Sequence, residues 1–522
     1  MSGPSNKDWS KAVSGFVPAA GGGRELQDDE PLLFEAEGAY YDGASARSGV
    51  DLPAPLPVSD RLGGLRREGK IGLPGLSEPQ IVRHYTRLSQ KNYSIDTGIY
   101  PLGSCTMKYN PRLNERVARL PGFASLHPLQ PPATVQGALA LMDRLATWLK
   151  TITGMPAIAL SPAAGAHGEI CGMMCIRAAL EARGEKRSRV LVPESAHGTN
   201  PATAAACGYA VDPIPGDARG RVDLAALKAK LGPDVAAIML TNPNTCGLFE
   251  DESLAIAEAV HGVGAFFYLD GANLNALLGR VQPGALGIDC MHMNLHKTFS
   301  TPHGGGGPGS GPVALAASLA PYAPLPWVVH RDEGFALIEE RAGDAAQSLG
   351  RIKAFHGQMG MFVRGLAFLM SHGGDGLARL SGDAVLNANY LLASLKDLLT
   401  PSFAGGAMHE VLFDDRFLGE TGVTTLDFAK ALIDEGYHPM TMYFPLIVHG
   451  ALLVEPTENE SKESLDRFIA AMRELAARAA QHDTEFFQSA PHRAPRRRLD
   501  EVGAARKPVL RWRPPAKSTA AE

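Results

Sequence analysis

From residue 157 onward the sequence alternates short, almost wholly apolar runs with longer segments of helical character, and this alternation leaves few folds open. Residues 157–160, 189–192, 235–240 and 265–269 read as strands, and 169–183, 223–231 and 252–260 as helices between them. Strands that are apolar along their whole length must be covered on both faces, so residues 131–330 are expected to form an α/β domain around a parallel sheet. A further helix precedes it, from about Thr134 to Thr153. There Val135, Leu139, Met142, Leu145, Leu149 and Ile152 recur at three- and four-residue steps.

The flanking regions are less regular. Residues 1–130 read as an N-terminal arm and extended segment, with a loose stretch to about residue 29. Ser77-Glu78-Pro79-Gln80 is a capping-box pattern, and Ile81, Val82, Tyr85 and Leu88 after it supply a helical stripe. Residues 331–485 suggest a second, smaller α/β domain, with a helix over 465–479 and a strand over 446–453. Residues 486–522 hold the basic stretch RAPRRRLDEVGAARKPVLRWRPPAK, expected to be solvated and disordered.

Composition narrows the partners. A net charge of −5 gives no basic bias toward nucleic acid, and no apolar run approaches the roughly 20 residues that span a bilayer. The N-terminal residues lack the apolar stretch of a secretory signal, so a cytoplasmic location is expected. Six cysteines without a CxxC make no framework. Cys171 and Cys175 share one helix face and read as small buried apolar residues, and no metal site is expected.

Polar residues that could carry chemistry arrive one group per strand end, where open α/β sheets bind ligands. Ser161-Pro-Ala-Ala-Gly165-Ala166-His167-Gly168-Glu169 lies between a strand and a helix; small residues there let backbone N–H groups approach an anion. His197 follows the next strand and could lie flat against a ring. Asn242 and Asn244 offer donors after another. Asp270 ends an apolar strand, and Lys297 follows 27 residues later, beside His296 and before a glycine-rich stretch. The run of glycines at 304–307 lacks the strand–loop–helix setting and the later acid of a dinucleotide loop.

A lysine amine, an acid, a flat ring and a phosphate cradle are the four things that pyridoxal 5'-phosphate asks of a protein. Burial would make the Lys297 amine available to the aldehyde, and Asp270 would keep the pyridine nitrogen protonated.

With these residues in hand, the chain resembles subunit 2 of the P protein of the glycine cleavage system. The likeness spans roughly residues 30–480 and rests on NYSIDTGIYPLGSCTMKYNP, SPAAGAHGE, ESAHGTNPATAA, NLHKTFSTPHGGGGPGSGP and YFPLIVHGALLVEPTENESKESLDRF. The resemblance implies the type I fold of pyridoxal-phosphate enzymes, aminotransferase-like, with a large parallel-sheet domain and a smaller C-terminal one. It implies that Lys297 carries the cofactor as an imine, that Asp270 partners the pyridine nitrogen and that His197 stacks on the ring. Gly165–His167 would take the phosphate, and the glycines after His303 would approach an active site across a subunit contact. Ser104, Cys105 and Thr106 match a motif near the substrate channel to which no role is assigned.

Because some organisms carry the P protein as one chain about twice as long, this one looks like the catalytic half of a split enzyme. A second subunit, subunit 1, is then implied, with two copies of each. Its reaction would be glycine decarboxylation, with transfer of the aminomethyl group to the lipoyl arm of the H protein. Two other readings stand beside it: another amino-acid decarboxylase, desulfurase or aminotransferase of the same fold, and a non-catalytic scaffold.

Overall fold

The computed structural model describes residues 30–35, 65, 73–303 and 309–513. The loose stretch to residue 29 and the glycines at 304–307 lie outside them. Contacts divide the described residues into two units, Ser94–Gln488 and a second that joins the N-terminal segment through Tyr93 to the segment from Ser489.

Seven strands form the main sheet: β1 (Ala157–Ala159), β2 (Arg189–Pro193), β3 (Ala210–Ile214), β4 (Val235–Thr241), β5 (Phe266–Gly271), β6 (Cys290–Met293) and β7 (Val313–Leu315), in the order β1-β7-β6-β5-β4-β2-β3. The contiguous pairs from β3 to β6 are parallel, while β7 runs antiparallel to both β6 and β1. The sheet is therefore mixed rather than purely parallel. An antiparallel neighbour, unlike a parallel one, can be joined without a crossover helix.

Side chains along each strand alternate between two cores. On one face lie Leu191, Ile238, Leu240, Phe267, Leu269, Met291, Met293 and Ala314, packed with Leu139, Met142, Leu145 and Leu149 of the helix α1 (Gln136–Thr153). The other face holds Val190, Val192, Ala237, Met239, Phe266, Tyr268, Cys290 and Val313 with Cys171, Met173, Cys175 and Ile176 of α2 (Gly165–Ala182). Two cores explain why β4 and β5 are buried at every position. All six cysteines are free; five are buried and Cys105 is half-buried.

The hairpin β8 (Trp327–Arg331)–β9 (Gly334–Ile338) leads to a long helical stretch over Met359–Leu395, interrupted at Gly373 (φ 61°). A second sheet follows, of β10 (Thr400–Pro401), β11 (Val411–Asp414), β12 (Thr441–Met442) and β13 (Leu452–Val454) in the order β10-β11-β13-β12, antiparallel throughout. The strand expected over 446–453 begins only at Leu452; Leu446 and Ile447 are exposed in a loop, where apolar character came without pairing. The helix expected over 465–479 is Lys462–Ala480.

In the other unit the Ser77 capping box forms: Gln80 Oε1 accepts from the Ser77 N–H (2.9 Å) at the head of the helix Glu78–Lys91. Its apolar stripe is turned the other way from the expectation. Ile81, Val82 and Tyr85 are exposed, and His84 is the buried residue, 2.8 Å from Glu30 Oε1, whose carboxylate also accepts from Arg87. An ion-pair anchor thus orients this helix. Where solvated chain is expected from residue 486, the described residues form the helices Thr484–Ser489 and Glu501–Arg506, and Trp512 stacks on Phe34 at 5.0 Å. Among the described residues no helix is long and apolar enough to cross a membrane.

Candidate active site

Asp270 is the last charged residue of β5, and in register it lies between Thr241 of β4 and His292 of β6. It is 3% exposed. A buried carboxylate must find hydrogen bonds, and this one does: Asn200 Nδ2 donates to Oδ2 (2.9 Å) and the Ala272 N–H to Oδ1 (2.9 Å). His292 Nε2 stands 3.4 Å from Oδ1, and its Nδ1 is 2.5 Å from the Tyr268 hydroxyl. Burial opposes ionisation of Asp270, but His292, the Asn200 amide, the Ala272 N–H and Lys297 outweigh it and hold the carboxyl below its usual range.

A second carboxyl shares this chamber. Glu169, on the first turns of α2, accepts from the same Asn200 amide (3.0 Å) and from Thr203 (3.3 Å). Burial, with the Asp270 charge beside it, pushes its pKa to about 8. Two adjacent buried acids thus divide their roles, Asp270 ionised and Glu169 protonated at neutral pH. Because the folded pKa of Glu169 is raised, unfolding releases its proton, and stability falls as pH rises from 4.5 to about 8. Glu169→Gln removes this titration, so its melting temperature relative to wild type should climb across that window. The slope is worth roughly 1.4 kcal/mol per pH unit while it lasts; a pH-independent difference between the two thermal melts would refute the raised ionisation.

Lys297 sits in a single helical turn, Leu295–Thr298, directly after β6. Its Nζ donates to the Ser104 carbonyl at 2.7 Å. His197, after β2, leaves its ring exposed, with Nδ1 2.9 Å from Thr199 Oγ1 and the Phe444 ring at 5.4 Å. The charges of Lys297 and Asp270 both act on it. Three of the predicted residues, Lys297, Asp270 and His197, are thereby brought to one place by the ends of β6, β5 and β2.

Gly165, Ala166 and His167 are the first three residues of α2, and no side chain caps that helix, which leaves its leading N–H groups to other partners. A Cβ on Gly165 would stand 2.4 Å from Asn294 Oδ1, and one on Gly311 would stand 2.1 Å from the Ala164 carbonyl, so the two loops close tightly on each other. Ser161 Oγ, Asn294 Oδ1 and Ser310 Oγ are buried here without a hydrogen-bond partner. His167 turns its Nδ1 back to accept from the Ala163 N–H (3.1 Å). His296 does the same toward the Ser310 N–H (3.4 Å) and packs edge-on against His303; burial, His303 and Lys297 bring its pKa down to about 3, so the ring stays neutral.

Asn244 is placed elsewhere. Its Nδ2 donates to the Gly220 carbonyl (2.9 Å) and to Glu250 Oε1 (2.8 Å), and its Oδ1 accepts from the N–H groups of Cys246 (3.0 Å) and Leu248 (3.2 Å). With all its polar capacity spent on its own turn and on the Gly220 carbonyl, it braces the turn after β4. Asn242 likewise closes the same loop, through Glu250 and Ser253.

Four buried residues that the sequence reading passed over complete the surroundings. Asn200 and His292 join Glu169 around Asp270. From the second sheet, Glu410 and Glu455 reach the turn that carries Ser104: Glu410 Oε2 accepts from the Ser104 N–H (2.7 Å) and Glu455 Oε2 from the Thr106 N–H (2.9 Å). The only sequence signal for these two is their position at the ends of apolar strands.

Residues 168–306 match the family model of aminotransferase class V, and residues 381–492 that of the glycine dehydrogenase C-terminal domain. A Caulobacter vibrioides protein named "Probable glycine dehydrogenase (decarboxylating) subunit 2" is 64% identical over 95% of this chain and 94% of its own. One of the same name from Pyrococcus furiosus is 48% identical over 94% and 97%. Among solved structures, glycine decarboxylase (P-protein) of the glycine cleavage system, in inhibitor-bound form, is similar with a TM-score of 0.65 at 22% identity, over 83% of this chain and 93% of that one. A cysteine desulfurase from Escherichia coli is similar with a TM-score of 0.57 at 15% identity, over 77% and 99%. The fold is the type I fold of pyridoxal-phosphate enzymes, and the chain belongs to the family of glycine dehydrogenase (decarboxylating) subunit 2.

Proposed function

We propose that this chain is the catalytic subunit of a split glycine dehydrogenase, which uses pyridoxal 5'-phosphate to decarboxylate glycine and passes the aminomethyl group to the lipoyl arm of the H protein. The observation that carries this reading is the pairing, on adjacent strand ends, of a half-buried lysine amine with a fully buried ionised aspartate. The family name implies a companion subunit, and we take two copies of each as the working assembly, in the cytoplasm.

The donor set suits this cofactor. Ser161 Oγ and Ser310 Oγ, unpartnered and buried beside the uncapped start of α2, are the kind of groups that a phosphate would satisfy, together with the N–H groups of Gly165, Ala166 and His167. Lys297 would hold the cofactor covalently, His197 would lie against its ring, and His296 would stay neutral beside Lys297. When bound, the cofactor supplies an electron sink for the pair released as carbon dioxide leaves.

The chain's own residues then have separate tasks. Asp270, fixed by Asn200 and Ala272, presents an oxygen that stays ionised at neutral pH and so keeps a proton on a ring nitrogen facing it. Glu169, protonated, adds no second negative charge to compete for that proton. The Ser104 carbonyl accepts the Lys297 amine whenever the lysine is free.

The test is exchange of labelled bicarbonate into the carboxyl group of glycine, with this chain, its companion subunit and lipoylated H protein each omitted in turn. Exchange should require all three. Exchange on glycine with this chain alone would remove the split-subunit reading, and none with all three present, despite cofactor bound at Lys297, would move the chain to another reaction of the same fold.

A further inference from the structure

In antiparallel register Val411 of β11 faces Val454 of β13, which sets Glu410 and Glu455 opposite each other at one end of the second sheet. Like charges placed directly across a sheet oppose folding, and both of these residues are 0% exposed. Their burial makes sense through the turn they grip. Residues 101–106 run alongside β13: Leu102 pairs with Val454, the Gly103 N–H donates to the Leu453 carbonyl (3.3 Å), and the Glu455 N–H to the Pro101 carbonyl (3.2 Å). A Cβ on Gly103 would fall 2.4 Å from Leu453, so only glycine permits this approach. The turn that follows is held in an unfavourable shape, with φ of 65° at Ser104 and 49° at Thr106, neither of them glycine.

That shape aims the Ser104 and Thr106 N–H groups at Glu410 and Glu455, and with them the Ser104 carbonyl at Lys297 Nζ. Asn275 Nδ2 steadies the other oxygen of Glu455 at 3.2 Å, and Thr441 Oγ1 donates to the Gly103 carbonyl at 2.6 Å. Locally the turn is closed by the Cys105 N–H to the Leu102 carbonyl (3.3 Å), while its side-chain grip comes from far away, with Glu410 306 residues from Ser104 in sequence.

We infer that Glu410 and Glu455 are positioning residues that hold the Ser104–Thr106 turn so that its Ser104 carbonyl receives the Lys297 amine in the part of the cycle when the lysine is not joined to the cofactor. This rests on the proposed cofactor attachment at Lys297. The two carboxyls act as hydrogen-bond acceptors for backbone N–H groups, a task in which a glutamine oxygen can replace them. Burial and the neighbouring Glu455 push Glu410 well above its usual range, and burial, with Glu458 nearby, brings Glu455 to about 7, as befits acceptors that need carry no charge.

The test uses the complete chain with its companion subunit, stripped of cofactor and then given free pyridoxal phosphate. The rate of capture is followed by absorbance, and borohydride reduction counts the adduct on Lys297. Glu410→Ala and Glu455→Ala should each slow capture by about tenfold or more, because the amine is no longer held in place, while Glu410→Gln and Glu455→Gln should keep at least about a third of the wild-type rate. Should the alanine variants not fold, Glu410→Asp, whose shorter arm cannot reach the Ser104 N–H, must show the same slowing. Capture within about twofold of wild type in a folded alanine or aspartate variant would overturn the inference, as would glutamine variants as slow as the alanine ones. A wild-type chain that forms no adduct at Lys297 would overturn the proposed function instead, so the two failures are told apart.

Discussion

Lys297→Ala should leave less than about a thousandth of wild-type glycine decarboxylation, a loss of some 4 kcal/mol or more in transition-state stabilisation. The reason is chemical, since among the described residues the Lys297 amine is the one brought beside Asp270 and His197 at the strand ends. The substitution should spare the fold. The single turn Leu295–Thr298 is held by backbone bonds, the Leu295 N–H to the Ser310 carbonyl (3.1 Å) and the Lys297 N–H to the Asn294 carbonyl (3.1 Å), and the half-buried lysine contributes a single side-chain hydrogen bond. Circular dichroism should therefore be that of wild type, while borohydride no longer fixes the cofactor to the chain. A folded variant that retains activity would remove Lys297 from the centre of the site.

Asp270→Asn should slow decarboxylation by about two to three orders of magnitude with the cofactor still bound. Asparagine keeps the size and its oxygen can still accept from the Ala272 N–H, at the cost of the bond from Asn200 Nδ2. What is lost is the one carboxylate in the chamber that stays charged, and a neutral amide cannot hold a proton on the ring nitrogen. The folded pKa of Asp270 lies below its usual value, so in wild type its charge is complete above the ordinary aspartate range and is lost only as pH falls through the lowered value; rates near neutrality should not titrate with it. The variant carries a second signature. With the Asp270 charge gone, Glu169 loses the neighbour that helps to raise it, so its titration should move down from about 8. Single-turnover rates close to wild type would show that Asp270 does not face the ring.

Much of this was legible in the residues alone. Wholly apolar runs around 190, 237 and 267, and the apolar segment before Lys297, can bury both faces only in a covered sheet. Polar residues that interrupt these runs at their carboxyl ends, Asp270 and Lys297 above all, have no structural reason to be there, which is why the candidate chemistry could be read from them. Small residues before α2 likewise marked a loop that closes tightly on its neighbours at the start of that helix.

Other features depended on which loops meet. Asn244 looked like a ligand donor because a polar residue after a buried strand does so, yet its amide closes its own turn, and only the folded loop shows where Nδ2 points. The stripe of α-helix Glu78–Lys91 was misread because one ion pair between Glu30 and Arg87 outweighed apolar periodicity in setting the face that is buried. Little in the sequence singles out Glu410 and Glu455, and Glu169 enters only as the last residue of the small-residue loop, since a carboxyl carries no local mark of burial.

By itself the sequence carried the strands near residues 157–160, 189–192, 235–240 and 265–269, the fold class and the family, because these follow from local pattern and from motifs that are contiguous in the chain. Only the tertiary structure decided that β7 inserts antiparallel, that Asp270 shares Asn200 with a protonated Glu169, and that two glutamates more than 300 residues from Ser104 shape the turn facing Lys297. Those partnerships are fixed by strand order and by electrostatics between distant segments in a low-dielectric interior, where a contact acquires its strength from burial that no local stretch of sequence specifies.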